Sequence, residues 1–103
     1  MDVRENMAPE QELKKGKILA RVINEKNGIQ NIENVRAVRI LSKDYVVLIM
    51  EDYTSTLGQV DGTVTVISDD GEVVYENING FYKQQNNVFT LLIAEENGWV
   101  DKI

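Results

Sequence analysis

The stretch Gly62–Ala94, GTVTVISDDGEVVYENINGFYKQQNNVFTLLIA, decides the fold class. Val64 and Val66 alternate with Thr63 and Thr65, the period-two signature of a half-buried strand. Asp69-Asp70-Gly71 follows, a hairpin signal, because Asp and Gly accept the backbone angles of tight turns. Glu72–Ile78 returns as a strand, with Val73 and Tyr75 on one side and Val74 and Ile78 on the other. Asn79-Gly80 reads as the next turn, Phe81–Gln85 as a short strand, and Gln85-Asn86-Asn87 as a third hairpin signal. Val88–Ala94 (VFTLLIA) is the last strand, ended by Glu95-Glu96-Asn97-Gly98.

The same pattern runs upstream. Lys17–Glu25 (KILARVINE) places Ile18, Ala20 and Val22 on one face, and Lys26-Asn27-Gly28 is a turn signal. Ile29–Asn34 carries no decisive period. Val35–Leu41 (VRAVRIL) reads as a strand, and Ser42-Lys43-Asp44 as a turn. Val46-Val47-Leu48-Ile49-Met50 is the longest apolar run, which predicts a strand buried on both faces. Glu51–Asp61 lacks periodicity and reads as a loop. Seven or eight strands with turn signals every 8–12 residues predict an all-β, antiparallel two-sheet β-sandwich. No helical pattern separates the strands, which argues against a parallel sheet with crossover helices.

Two regions are expected: an N-terminal arm over residues 1–16, helical or disordered, and one β-sandwich domain over 17–103. In the arm Met7, Ala8 and Leu13 are sparse, and Pro9 suits a helix first turn followed by Glu10, Gln11 and Glu12. The predicted core draws on Ile18, Ala20, Val22, Val38, Ile40, Val47, Ile49, Val64, Val66, Val73, Tyr75, Phe81 and Leu92. A one-residue register error would exchange the buried and exposed sets.

Composition narrows the chemistry. The 103 residues include no His and no Cys. Ser-His-Asp and Cys-His catalysis, Cys-type zinc clusters and disulfides are therefore excluded within this chain. No stretch approaches the ~20 apolar residues of a membrane span, and the first residues carry no signal-peptide pattern. The expectation is a cytoplasmic protein with no direct membrane insertion. A net charge of −6 argues against nucleic acid as a partner, since that affinity rests on phosphate neutralisation. Charge is uneven along the chain: residues 14–43 carry +6 and residues 44–76 carry −8. Such asymmetry suits a protein partner or self-association.

Acidic clusters carry little specific signal. Asp69-Asp70-Gly71-Glu72 departs from the spacing of a calcium loop and is explained by its turn. Glu51 and Asp52 are adjacent, so in a strand they point to opposite faces. No metal or cofactor is expected, nor an enzyme. The partner-contact candidates are Tyr53, Tyr82, Trp99, Arg36 and Arg39. Aromatic and Arg side chains dominate interface energetics, and Phe81 and Tyr82, as neighbours, should face opposite ways.

Residues from about 18 to 96 resemble the N-terminal β-sandwich domain of the epsilon subunit of F-type ATP synthases. Ile18–Asn24 and Val35–Leu41 are similar to that domain's first two strands. Asp61-Gly62-Thr63-Val64-Thr65-Val66, Asn79-Gly80-Phe81-Tyr82 and Asn87–Ala94 resemble its later Gly-led strand, its Gly-Phe segment and its last strand, in order. The family's loop after the central strand is replaced by Glu51–Leu57 (EDYTSTL). The family's helical hairpin, which carries its regulatory ATP-binding and inhibitory role, has no counterpart up to Ile103. The resemblance implies a non-enzymatic protein-interaction module of stalk type. The alternatives are a self-associating or mobile-element accessory protein and, third, an enzyme or small-ligand binder using Asp52, Tyr53 or Glu76 in a barrel mouth.

Overall fold

The computed structural model describes residues 16–96. It contains β1 (Ile18–Asn24), β2 (Gly28–Ser42), β3 (Val46–Met50), β4 (Thr56–Ser68), β5 (Gly71–Gln85) and β6 (Val88–Glu96). The sheet order is β1-β6-β5-β4-β2-β3, and β1 also pairs with β2. That last pairing closes β1, β6, β5, β4 and β2 into a ring and leaves β3 outside it, on the edge of β2. β1 runs parallel to β6; every other pair is antiparallel. The all-β expectation holds. The two-sheet sandwich of seven or eight strands is corrected: the described residues form six strands, five of which close into a barrel while β3 lies on its edge.

The strand count falls because β2 and β5 each span two segments that the local pattern divides, while β4 extends into an expected loop. Ile29–Asn34 is the first half of β2, and Thr56–Asp61, expected in a loop, opens β4. Glu72–Ile78 and Phe81–Gln85 are one strand, β5. Asn79-Gly80 therefore lies within a strand and not at a turn. The glycine serves close approach: a Cβ on Gly80 would run into the Leu92 carbonyl oxygen of β6. The turns at Asn27-Gly28, Asp69-Asp70 and Asn86-Asn87 stand where the sequence places them, and Asn86 and Asn87 adopt left-handed φ of 52° and 61°.

Bulges decide which side chains point inward. The β4–β5 register passes from Gly62↔Ile78 to Val64↔Tyr75, so β5 holds one extra residue there. Asn77 beside it takes a left-handed φ of 54°. An inserted residue reverses the alternation. The inward set on β5 consequently changes from Val73 and Tyr75 to Ile78, Gly80, Tyr82 and Gln84. β2 behaves likewise near Asn34, whose φ is 58°. This is why Phe81, expected in the core, is exposed while Tyr82 is buried.

The core is one cluster of Ile18, Ala20, Val22, Val35, Val38, Ile40, Ile49, Val60, Val64, Val66, Ile78, Tyr82, Phe89, Leu91 and Ile93. Val47, Val73 and Tyr75 pack against it from partly buried positions. Leu92 faces out. Tyr82 stacks on Phe89 with ring centroids 5.8 Å apart, and a Cβ on Gly58 would strike the Tyr82 ring. The glycine thus opens the space that the tyrosine fills. β3 is the largest departure from expectation. Only Ile49 is buried, because β3 is an edge strand that no other described strand covers on its outer side.

Candidate protein-interaction surfaces

Two outer faces collect the exposed apolar side chains. The first, the β3 face, follows from register. Leu48 lies opposite Arg39, Arg39 opposite Thr65, and Thr65 opposite Val74. Val46 lies opposite Leu41, and Met50 opposite Ala37. Val46 is 68% exposed, Leu48 50% and Met50 52%, and Leu41 and Val74 are also exposed. β3 contains no charged residue and no Pro, and among the described residues it pairs only with β2. Natural edge strands usually carry charges, prolines or bulges that discourage pairing. This edge carries none of them.

The second, the β6 face, lies on the far half of β5 and on its barrel neighbours. Phe81 lies opposite Leu92, Leu92 opposite Ile23, and Ile23 opposite Ile29. One row of apolar side chains therefore crosses four strands. Phe81, Leu92 and Ile29 are exposed and Ile23 is half-buried. The next row holds Leu57, Lys83, Thr90 and Arg21.

The partner-contact candidates separate. Arg39 stands within the β3 face, and Tyr53 is exposed in the turn after β3, where its N–H donates to the Met50 carbonyl at 3.1 Å. Arg36 is at the surface but engaged, with Nε 2.5 Å from Asp69 Oδ1. Tyr82 is only 6% exposed and cannot present itself to a partner. Burial, reinforced by a hydrogen bond with the Tyr45 hydroxyl, holds the Tyr82 phenol well above its ordinary pKa. Tyr45 in turn donates to the Gln59 carbonyl. Trp99 lies outside the described residues. Sequence reasoning missed Phe81, Leu92 and the exposed side of β3, because their exposure depends on bulges and on edge position.

Among the described residues, the carboxylates singled out from the sequence lie apart. Asp52 is tied to the β5–β6 hairpin: its backbone N–H donates to Asn87 Oδ1 at 2.7 Å, and Asn87 Nδ2 donates to Asp52 Oδ1 at 3.2 Å. Glu76 sits some ten positions back along β5, at the bulge, and Glu51 faces Lys17 at 3.5 Å. Among the described residues no acidic cluster could hold a metal ion, and no helix is long and apolar enough to cross a membrane. A cleft of about 380 Å³ lies beside Ser55–Leu57 and Lys83–Gln85. Gln84 borders it, fully buried, and neither of its amide atoms is hydrogen-bonded among the described residues.

No protein-family model matches the sequence, and no curated protein matches it significantly. Solved structures do. A chain of the Euglena gracilis mitochondrial ATP synthase, from its OSCP/F1/c-ring structure, aligns with a TM-score of 0.67 at 20% identity. That alignment covers 78% of this chain and 52% of the other, so this chain spans about half its length. A chain of the Tetrahymena thermophila mitochondrial ATP synthase central stalk and c-ring aligns with a TM-score of 0.61 at 11% identity, covering 80% and 66%. The resemblance read from Ile18–Asn24 through Asn87–Ala94 is thus matched in three dimensions: this chain shares its fold with chains of mitochondrial ATP synthase assemblies.

Proposed function

We propose that this chain is a non-enzymatic docking module of an ATP synthase central stalk, and that the β3 face is the surface that docks. The observation that carries the stalk assignment is the fold likeness over some four-fifths of the chain. The choice of surface follows from β3 itself. A partner covering Val46, Leu48 and Met50 removes apolar area from water, and the free edge of β3 offers it main-chain hydrogen bonds. Arg39 supplies a cation in the middle of that apolar area, a combination common in interface centres.

The test is affinity capture of the tagged chain from its own host, with identification of the captured proteins. Recovery of ATP synthase stalk subunits by the native chain and their loss with Leu48→Asp is the expected result. Capture without any ATP synthase subunit overturns the stalk reading. Capture undiminished by Leu48→Asp overturns the choice of face. A second copy of this chain is the competing occupant of β3, and a concentration-dependent mass in sedimentation, abolished by Leu48→Asp, would establish it.

A further inference from the structure

We infer that the β6 face is a second docking surface, built for an acidic amphipathic segment of a partner protein. The inference is independent of the stalk reading and of the β3 face.

Its apolar part is the row Phe81–Leu92–Ile23–Ile29 on β5, β6, β1 and β2. Its charged part is the neighbouring row, about 7 Å away along the strands. There Lys83 and Arg21 flank Thr90, so the two cations stand two strand spacings apart, about 10 Å between backbones. Leu57 extends the apolar area beside Lys83 and is 76% exposed.

The protein carries −6 overall, and Lys83 is the sole basic residue between Lys43 and Lys102. The fold sets it across Thr90 from Arg21, which comes from the basic stretch 14–43. Neither has a carboxylate partner among the described residues. Arg21 Nε reaches only Asn31 Oδ1, at 3.4 Å, and the described ion pairs are Lys17–Glu51 and Arg36–Asp69. Two cations with no described carboxylate partner, beside an exposed apolar row, complement a surface of opposite make-up: apolar side chains lined on one flank by carboxylates about 10 Å apart. The face also has no free strand edge. β6 is held between β1 and β5, and β1 between β6 and β2, so a partner must be recognised by side chains alone.

The experiment is an amide-resolved NMR titration of the full chain with a synthetic amphipathic peptide of leucine and glutamate. Shift changes confined to β5, β6 and β1 around Phe81, Lys83, Thr90 and Arg21 are expected. The affinity should fall with added salt, and about tenfold or more with Arg21→Glu/Lys83→Glu. Arg21→Gln/Lys83→Gln gives the same direction with a smaller drop if the reversed pair does not fold. Shifts centred on Val46–Met50, or equal affinity for the charge variants, overturn the inference. So does a response of the same residues to phosphatidylglycerol vesicles in place of the peptide, which would make this a lipid surface. A rise in mass of the chain alone, lost with Lys83→Glu, would assign the face to a second copy instead. Stalk subunits captured undiminished by Leu48→Asp, or not at all, would leave a positive peptide titration untouched.

Discussion

The β3 face and the β6 face expose apolar side chains by different routes. β3 is an edge strand, so among the described residues it presents both its outer side chains and an edge with no strand alongside. The β6 face lies on a closed part of the barrel, where main-chain groups are already paired. A partner at β3 can gain main-chain hydrogen bonds whatever its own sequence. A partner at the β6 face must match side chains, and the two cations set the terms. The difference teaches that apolar exposure alone does not describe a docking surface: the state of the backbone beneath it decides how much sequence the partner must supply.

The largest expected effect separates inside from outside at one pair of neighbours. Tyr82→Ala removes a buried ring stacked on Phe89 and should cost about 3 kcal/mol or more. Phe81→Ala should stay within about 0.5 kcal/mol in denaturant unfolding, because Phe81 is on the β6 face. Equal losses would return Phe81 to the core and remove the apolar row. The same tyrosine sets an alkaline limit. Burial holds the Tyr82 and Tyr75 phenols above their ordinary value of 10.0 in the folded state. The unfolded chain therefore releases these protons first as pH rises. Stability contributed by the neutral phenols is complete below about pH 10 and declines above it. Melting temperatures should be flat towards pH 9 and fall beyond 10, less steeply in Tyr82→Phe, measured against that variant's own value at pH 8.

Leu48→Asp sharpens the comparison at the other face. Docking through β3 should weaken at least about tenfold, while the peptide response at Phe81 and Lys83 is unchanged. Loss of both would mean that the two faces are one surface. The β5 bulge, which separates them, comes next. Asn77→Val places a β-branched residue at φ 54° and should destabilise by about 1–2 kcal/mol; Asn77→Gly should be nearly neutral. If Asn77→Val is neutral, the bulge is not what sets the register of β5. The smallest effect concerns Gln84. Its buried amide has no hydrogen-bond partner among the described residues, so Gln84→Met, of similar shape, should leave stability unchanged or raise it by about 1 kcal/mol. A clear loss would show that the amide is satisfied in solution.

What the chain determines locally is its alternation and its punctuation. The strand pattern of Lys17–Glu25, Thr63–Ile67 and Val88–Ala94 and the turns at Asn27-Gly28, Asp69-Asp70-Gly71 and Asn86-Asn87 were legible, because they rest on neighbouring residues and on φ preferences. Of the candidate contacts, exposed Tyr53 and Arg39 were legible as surface groups. Tyr82 was not legible as core, since one extra residue near Asn77 reverses every later side chain on β5. Nor was Val46–Met50 legible as an edge. An apolar run states only that water is unfavourable there, while what covers it depends on which strand lies alongside, and that is a non-local choice. The parallel β1–β6 pairing, the closure through β1–β2 and the meeting of Lys83 with Arg21 across 62 positions of sequence belong to the same class. They were decided only when the sheet closed, because register and neighbours, unlike turns and alternation, are properties of strands in contact.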